Sequence, residues 1–264
     1  FRRVLFRSSL VGKNFTETLQ FGVVFFRNFF RNIINIHSSR FGNSFFNKFQ
    51  GVPAIICGAG PSLTDNGSQL AELSDRALIF AGGSGVNALN ALGILPHLGV
   101  GIDPNPEQYT RLIMNTSYET PFFYRSRMLQ GALEMAHGEH LYLTGSSGYG
   151  VSEWFEKKFG IVSDPFSEGH NVLTFSATIA ELMGCGPIVL TGIDLAYSKG
   201  QSYASGVTNH PLHKYEDFRT KTSEDELIEH RDIYGKPVKT QVFAHSKSTQ
   251  SGAKVSGVSG KKRR

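Results

Sequence analysis

From residue 52 onward, short apolar runs alternate with segments whose apolar positions recur every three or four residues. The runs cover residues 52–57, 77–81, 98–102, 121–124, 141–143 and 187–190. Between them, residues 63–73, 86–92, 128–136 and 172–183 carry helical spacing. Strands apolar on both faces, regularly followed by helices, predict a parallel sheet covered on both sides. The fold class expected is therefore α/β.

Upstream the pattern changes. From Phe21 to Ile36 the residues Phe25, Phe26, Phe29, Phe30, Ile33 and Ile34 recur at helical spacing, interrupted by Arg27, Asn28, Arg31 and Asn32. This predicts an amphipathic helix with a broad aromatic face, packed on a neighbouring domain or lying as a peripheral contact on a membrane surface. No apolar run reaches the roughly 18–20 residues that span a bilayer. The opening FRRVLFRS resembles translated sequencing-adapter read-through, which sets the first eight residues apart from the fold. The closing stretch is rich in Ser, Gly and Lys without periodicity and predicts a disordered basic tail. Three segments result: an aromatic helical segment over 1–49, a central domain over 50–245, and the tail over 246–264.

Composition narrows the classes. The chain has 264 residues, 40% of them hydrophobic and 19% charged, enough to bury a core and too apolar for wholesale disorder. Its net charge of +5 is concentrated at the ends. Residues 1–40 hold seven Lys/Arg against one acid, and residues 246–264 hold six against none, leaving the stretch between them net acidic. A groove for nucleic acid needs its cations on the folded body, so no nucleic-acid partner is expected. The two cysteines, Cys57 and Cys185, lie in apolar runs and read as buried thiols of a reducing compartment. With no secretory signal visible, a cytoplasmic location is expected.

Four strands end in loops rich in Gly, Ser, Thr or Asp, and open α/β sheets bind ligands at the carboxyl ends of their strands. In Gly58-Ala59-Gly60-Pro61-Ser62 the glycines permit close backbone approach, Pro61 suits a first helical turn, and Ser62 offers a hydroxyl. Amides at such a helix start can hold a phosphate. The loop is neither a Walker motif nor a complete G-x-G-x-x-G, and a plain strand-to-helix turn is the alternative. Gly82-Gly83-Ser84 and Thr144-Gly145-Ser146-Ser147 repeat the pattern. Asp103 at another strand end can accept ribose hydroxyls, hold a metal or cap a turn. In Gly169-His170-Asn171, Asn171 is placed to cap the helix that follows, and His170 beside its positive end can donate or act as a base. Asp194 in TGIDL can be a catalytic carboxylate, a metal ligand or an internal acceptor. His210 and His213 share a loop without a second ligand pair, so no zinc site is expected. HExxH, paired CxxC and GxSxG are absent from the sequence.

Taken in order, PAIICGAGPSL, the GS loop, IDPN and GHNVLTFSATIAELMGCGPIVLTGIDLAY resemble the motility-associated factor (Maf) glycosyltransferases. These share a domain with the 6-hydroxymethylpterin diphosphokinase (MptE)-like proteins, and the same landmarks are similar to those of bacterial sialyltransferases that use CMP-sialic acid. The resemblance covers about residues 50–200. It implies a Rossmann-like parallel sheet with helices on both faces, a donor phosphate near Gly58, Gly60 and Ser62, and a nucleotide and sugar lined by Gly83, Ser84, Asp103, Thr144, Gly145 and Ser146. The implied reaction moves a nonulosonic acid from a CMP-linked donor to a protein or glycan acceptor such as flagellin. Such a transfer needs a base, for which Asp194, His170 and the more remote His210 stand as candidates. The alternatives are a diphosphokinase moving pyrophosphate from ATP, the one reading that calls for Mg2+, and a nucleotide-binding domain without catalysis.

Overall fold

The computed structural model describes residues 22–104, 109, 112, 119–147, 150–169, 171–197, 201 and 203–207, with the backbone of two strands at 227–231 and 237–242. His170, His210 and the tail over 246–264 lie outside the described residues. A first helix, α1, covers residues 22–34. Strand β1 (Arg40–Phe41) follows, and then the alternation begins with β2 (Ala54–Cys57), α2 (Ser62–Glu72), β3 (Leu78–Ala81), α3 (Ser84–Ala91), β4 (Leu98–Gly101) and β5 (Phe122–Tyr124). It continues through α4 (Gln130–Leu133), β6 (His140–Tyr142), β7 (Ser146–Ser147), α5 (Gly150–Lys158), β8 (Phe166–Ser167), α6 (Val172–Leu182) and β9 (Ile188–Thr191). The last described strands are β10 (Ala196–Tyr197), β11 (Leu227–Arg231) and β12 (Pro237–Val242).

Seven strands form one sheet in the order β1-β6-β5-β4-β3-β2-β9, parallel throughout. The burial pattern follows the two-residue period of a strand. Ala54, Ile56, Phe80, Leu98 and Val100 face α6, where Phe175, Ile179, Ala180 and Met183 meet them. Ile55, Cys57, Ile79 and Ala81 face the other way, onto Leu63 and Leu70 of α2 and Val86 and Leu89 of α3. The expected α/β fold with helices on both faces is what the chain adopts. From β2 it winds outward to β6, then returns through α6 to lay β9 on the opposite side of β2. That reversal makes β2 the switch point of the sheet, the place where a ligand crevice opens.

Three differences from the sequence pattern have physical causes. Helical spacing over 128–136 yields only the four residues of α4. Met128 and Leu129 are held outside it because the Leu129 amide donates to the Asp103 carbonyl at 3.0 Å, and Leu129 stays extended at ψ 120°. Second, β1 joins the edge of the main sheet beside β6, and Phe45, Phe46 and Phe49 pack against its core. Third, α1 does not turn a single aromatic face inward. Its buried side carries Phe29 with Asn28 and Asn32, while Phe26 and Phe30 look outward. The Asn28 amide donates to the Pro104 and Arg127 carbonyls at 3.1 Å each, and that of Asn32 to the Ser126 and Met128 carbonyls at 2.8 and 2.6 Å. Two asparagines thus close four backbone carbonyls at the carboxyl end of β4 and β5, where leucines would have left them unpaired. Among the described residues no helix is long and apolar enough to cross a membrane.

Both thiols are free, Cys57 fully buried and Cys185 half-buried. Burial pushes the Cys57 thiol up to about 12. It also lifts the Tyr124 phenol, against a hydrogen bond from Ser39 and the nearby Arg125 charge, and lifts Tyr142 further still. Each group is neutral when protonated, and each holds its proton longer folded than unfolded. The stability they contribute is complete below the unfolded thiol value of about 8.5 and drains as pH rises through the folded values. Stability, followed as the melting temperature, should therefore fall steadily from about pH 9 upward as these groups enter their windows. Cys57→Ala should remove the earliest part of that fall; an unchanged alkaline profile would contradict the assignment.

Candidate functional site

The loop after β2 and the loop after β9 are joined backbone to backbone. The Gly58 amide donates to the Thr191 carbonyl at 2.8 Å, and the Gly60 amide to the Gly192 carbonyl at 2.7 Å. A Cβ on Gly58 would fall on the Gly192 carbonyl oxygen, and one on Gly60 would collide with the Asp194 carboxylate. Gly192 itself sits at φ +67°, the left-handed region that favours glycine. These contacts require glycine for closeness as well as for conformation.

Helix α2 starts without a capping side chain of its own. Pro61 occupies its N-cap position at φ −54° and offers no hydroxyl or amide. The cap comes from across the crevice: the Ser62 amide donates to Asp194 Oδ2 at 3.0 Å. Asp194 thereby acts as an internal acceptor, one of its three sequence readings, set at the positive end of α2 where a carboxylate is favoured. Helix α3 begins at Gly83, φ +53°, with Ser84 as its first residue. A Cβ on the next residue, Gly85, would stand 2.7 Å from the Cys57 carbonyl oxygen. Helix α6 begins at Asn171, whose Oδ1 accepts from the Leu173 and Thr174 amides at 3.0 and 2.9 Å. This is the capping that the Gly-His-Asn segment predicted.

The three helix starts surround one cleft of about 210 Å3. Gly58, Ala59, Gly60, Gly82, Ser84, Gly85, Val172, Leu173, Gly192, Ile193, Asp194, Leu195 and Tyr203 line it. Most of the wall is bare backbone and aliphatic carbon; Ser84, Asp194 and Tyr203 bring polar side chains to it. Leu195, on the rim, holds φ +52° with its side chain exposed. A branched residue there carries backbone strain, of the kind found beside functional clefts.

Of the residues singled out in the sequence, Gly58, Ala59, Gly60, Ser84 and Asp194 converge here, with Pro61, Ser62 and Gly83 in the adjoining turns. Asn171 and Gly169 sit at the start of α6. Asp103, Thr144 and Gly145 do not border the cleft, and Ser146 stands in β7. Thr144 and Gly145 follow β6, which stands four strands from β2, or about 19 Å at the usual strand spacing. Thr144 is fully engaged by Asn43: its amide and hydroxyl donate to Asn43 Oδ1 at 2.9 and 3.1 Å, and its carbonyl accepts from Asn43 Nδ2 at 3.1 Å.

At that far end lies a buried ionic cluster that sequence reading missed. Arg125 donates through Nε to Glu168 Oε1 at 3.0 Å and through Nη1 to Glu156 Oε1 at 3.4 Å. Arg127 Nη2 meets Glu168 Oε2 at 2.7 Å, the Tyr142 hydroxyl donates to Glu156 Oε1 at 2.9 Å, and the Gly145 amide donates to Glu156 Oε2 at 3.1 Å. The only signal available was an arginine directly following the apolar FFY strand, a position where an unpaired charge could not be buried.

A sequence profile of the family described as 6-hydroxymethylpterin diphosphokinase MptE-like matches residues 27–200. The chain belongs to the MptE-like family. Among solved structures, the fold of this MptE-like chain is similar to that of a Maf glycosyltransferase from Magnetospirillum magneticum AMB-1, with a TM-score of 0.54 and 16% sequence identity. The likeness covers 79% of this chain and 32% of that structure, so the chain spans about a third of its length. A search of curated proteins finds no match in sequence.

The glycine junction makes a direct test. Gly58→Ala should cost about 1–3 kcal/mol through overpacking against the β9 loop and should open the cleft. Gly150→Ala, where nothing lies within 4 Å of the added carbon, should stay within about 0.5 kcal/mol of the parent. Urea unfolding of both variants checks the contrast; equal stabilities would mean the loops are not locked at Gly58.

Proposed function

We propose that the chain is the donor-binding part of a transferase, most specifically a glycosyltransferase that takes a nonulosonic, sialic-acid-like sugar from a CMP-linked donor to a protein or glycan hydroxyl. The observation that carries this reading is the convergence of three helix starts and two glycine loops on one cleft at the switch point of the sheet. Membership of the MptE-like family and the fold shared with a Maf glycosyltransferase support it.

In this reading the donor phosphate rests on the first turn of α3. The amides of Gly58, Gly60 and Ser62 are already engaged within the chain, whereas Gly83 leaves room for close approach and Ser84 offers a hydroxyl. A cleft of about 210 Å3 is below the roughly 300–1,000 Å3 of a drug-sized pocket, which suits the phosphate and part of its sugar. Transfer breaks the bond between the sugar and the phosphate oxygen, leaves CMP, and needs a base for the acceptor hydroxyl. Asp194 lines the cleft with Oδ2 held by the Ser62 amide and is the base candidate among the described residues; His170 and His210 remain candidates outside them. Flagellin-type protein is one acceptor class that fits.

The name of the family supports a second reading, pyrophosphate transfer from ATP with Mg2+. That chemistry needs carboxylates for the metal. Among the described residues lining the cleft, Asp194 is the one carboxylate.

Thermal unfolding of the whole chain with CMP, and with ATP in the presence and absence of magnesium, separates the readings. A ligand at one hundred times its Kd should add about 2.7 kcal/mol of stability. A metal-independent shift with CMP is expected. A shift confined to ATP with magnesium would transfer the assignment to pyrophosphate chemistry, and no shift would remove the cleft as a nucleotide site.

A second experiment concerns the base. Asp194→Asn keeps an oxygen for the Ser62 amide while removing the charge. Turnover of a CMP-sugar should drop at least ~100-fold with the melting temperature little changed. Full activity would reduce Asp194 to a helix cap.

A further inference from the structure

The outward side of α1 is apolar, aromatic and basic at once. Val23, Phe26, Phe30 and Ile34 are between 48% and 77% exposed. At about 100° per residue they fall in one stripe roughly 80° wide, opposite the Asn28 and Asn32 side that docks on the sheet. Arg27 and Arg31, also exposed, run along one flank of the stripe.

Ring contacts that pass beneath the stripe, through the buried Phe29, link it to α5. Phe26 meets Phe30 at 5.0 Å between centroids, Phe30 meets Phe29 at 5.3 Å, and Phe29 meets Phe155 at 5.7 Å. Phe155 then meets Phe159 at 4.3 Å. Trp154 and Phe159 are 60% and 68% exposed, and Lys158 lies over the Trp154 ring at 5.9 Å. Lys157 and Lys158 supply cations at this end, against the exposed acid Glu153.

We propose that this two-helix face docks on an anionic membrane surface. Half-exposed phenylalanines and a tryptophan, edged by arginine and lysine, match the chemistry of an interfacial helix pair, with rings at the acyl boundary and cations at the headgroups. The cations stand along the flank of the rings, where they reach anionic headgroups while the rings enter the acyl boundary. The helix also ties down the carboxyl ends of β4 and β5 through its asparagines, the same edge of the sheet on which the cleft opens. A docked chain would therefore hold its cleft edge at the membrane, within reach of acceptors carried there. The inference stands on the surface alone and survives if the transferase reading fails.

Trp154 is the sole tryptophan of the chain, so its fluorescence reports directly on this face. The whole chain is titrated with vesicles of phosphatidylcholine alone and with vesicles containing phosphatidylserine. Expected are a blue shift and quenching by brominated lipid with the anionic vesicles only, weakened by salt. At about 1 kcal/mol per cation, the double variant Arg27→Gln, Arg31→Gln should bind roughly 30-fold more weakly with an unchanged far-ultraviolet spectrum. Phe26→Ser with Phe30→Ser should abolish the response. No Trp154 change with anionic vesicles overturns the proposal. So does a Trp154 shift that depends on protein concentration in the absence of lipid, which would assign the face to a second copy of the chain.

Discussion

Backbone against backbone is the contact on which this fold turns. Where the loop after β2 meets the loop after β9, neither side has a side chain to interpose, because Gly58 and Gly192 approach until a single Cβ would strike a carbonyl oxygen. The amide bonds of Gly58 and Gly60 to that loop then fix β9 alongside β2 and set the width of the crevice between α2 and α6. Everything that lines the cleft inherits its position from this junction. The Asp194 carboxylate reaches the α2 start because Gly60 leaves it room, and Leu195 is driven to positive φ by the same turn.

A second constraint operates at the other end of the sheet and is electrostatic. Arg125 emerges from β5 into a space that water does not reach, and Glu156 and Glu168 neutralise it from α5 and from the loop before α6. A cluster of this kind is costly to desolvate and punishing to break. What it secures is arrangement, since three segments far apart in sequence must be present together for any of the charges to be buried. The glycine junction shapes the cleft; the ionic cluster anchors α5 and the β8 segment that frame the far loops.

The sheet was legible because its signal is local. Val-, Ile- and Phe-rich runs of four or five residues, each followed by helical spacing, specify strand and helix without reference to the rest of the chain. The Asn171 cap was legible for the same reason, since its partners are two and three residues away. Resemblance carried the family and the glycine loops. The remainder was long-range. Asp194 caps a helix 132 residues earlier, Arg125 pairs with acids 31 and 43 residues later, and no pattern of spacing encodes either. In α1 the apolar pattern predicted the helix and its aromatic face but not the side that docks on the sheet. Its rings divide between the inner and outer sides because two asparagines, which a periodicity argument counts as polar breaks, are the residues the carbonyls beneath them require. The Thr-Gly-Ser loop after β6 looked like the glycine loops after β2 and β3, yet strand order sets it across the sheet.

One edge of that order has a practical side. Among the described residues β9 pairs with β2 alone, and its Val189 and Leu190 side chains are about half exposed. An unpaired ladder beside apolar side chains is a template for another strand, and charged residues or a covering segment normally blunt it. An edge of this kind favours self-association of the described domain at high concentration. Val189→Lys, at a half-exposed position outside the cleft lining, is the natural way to keep such a preparation monodisperse.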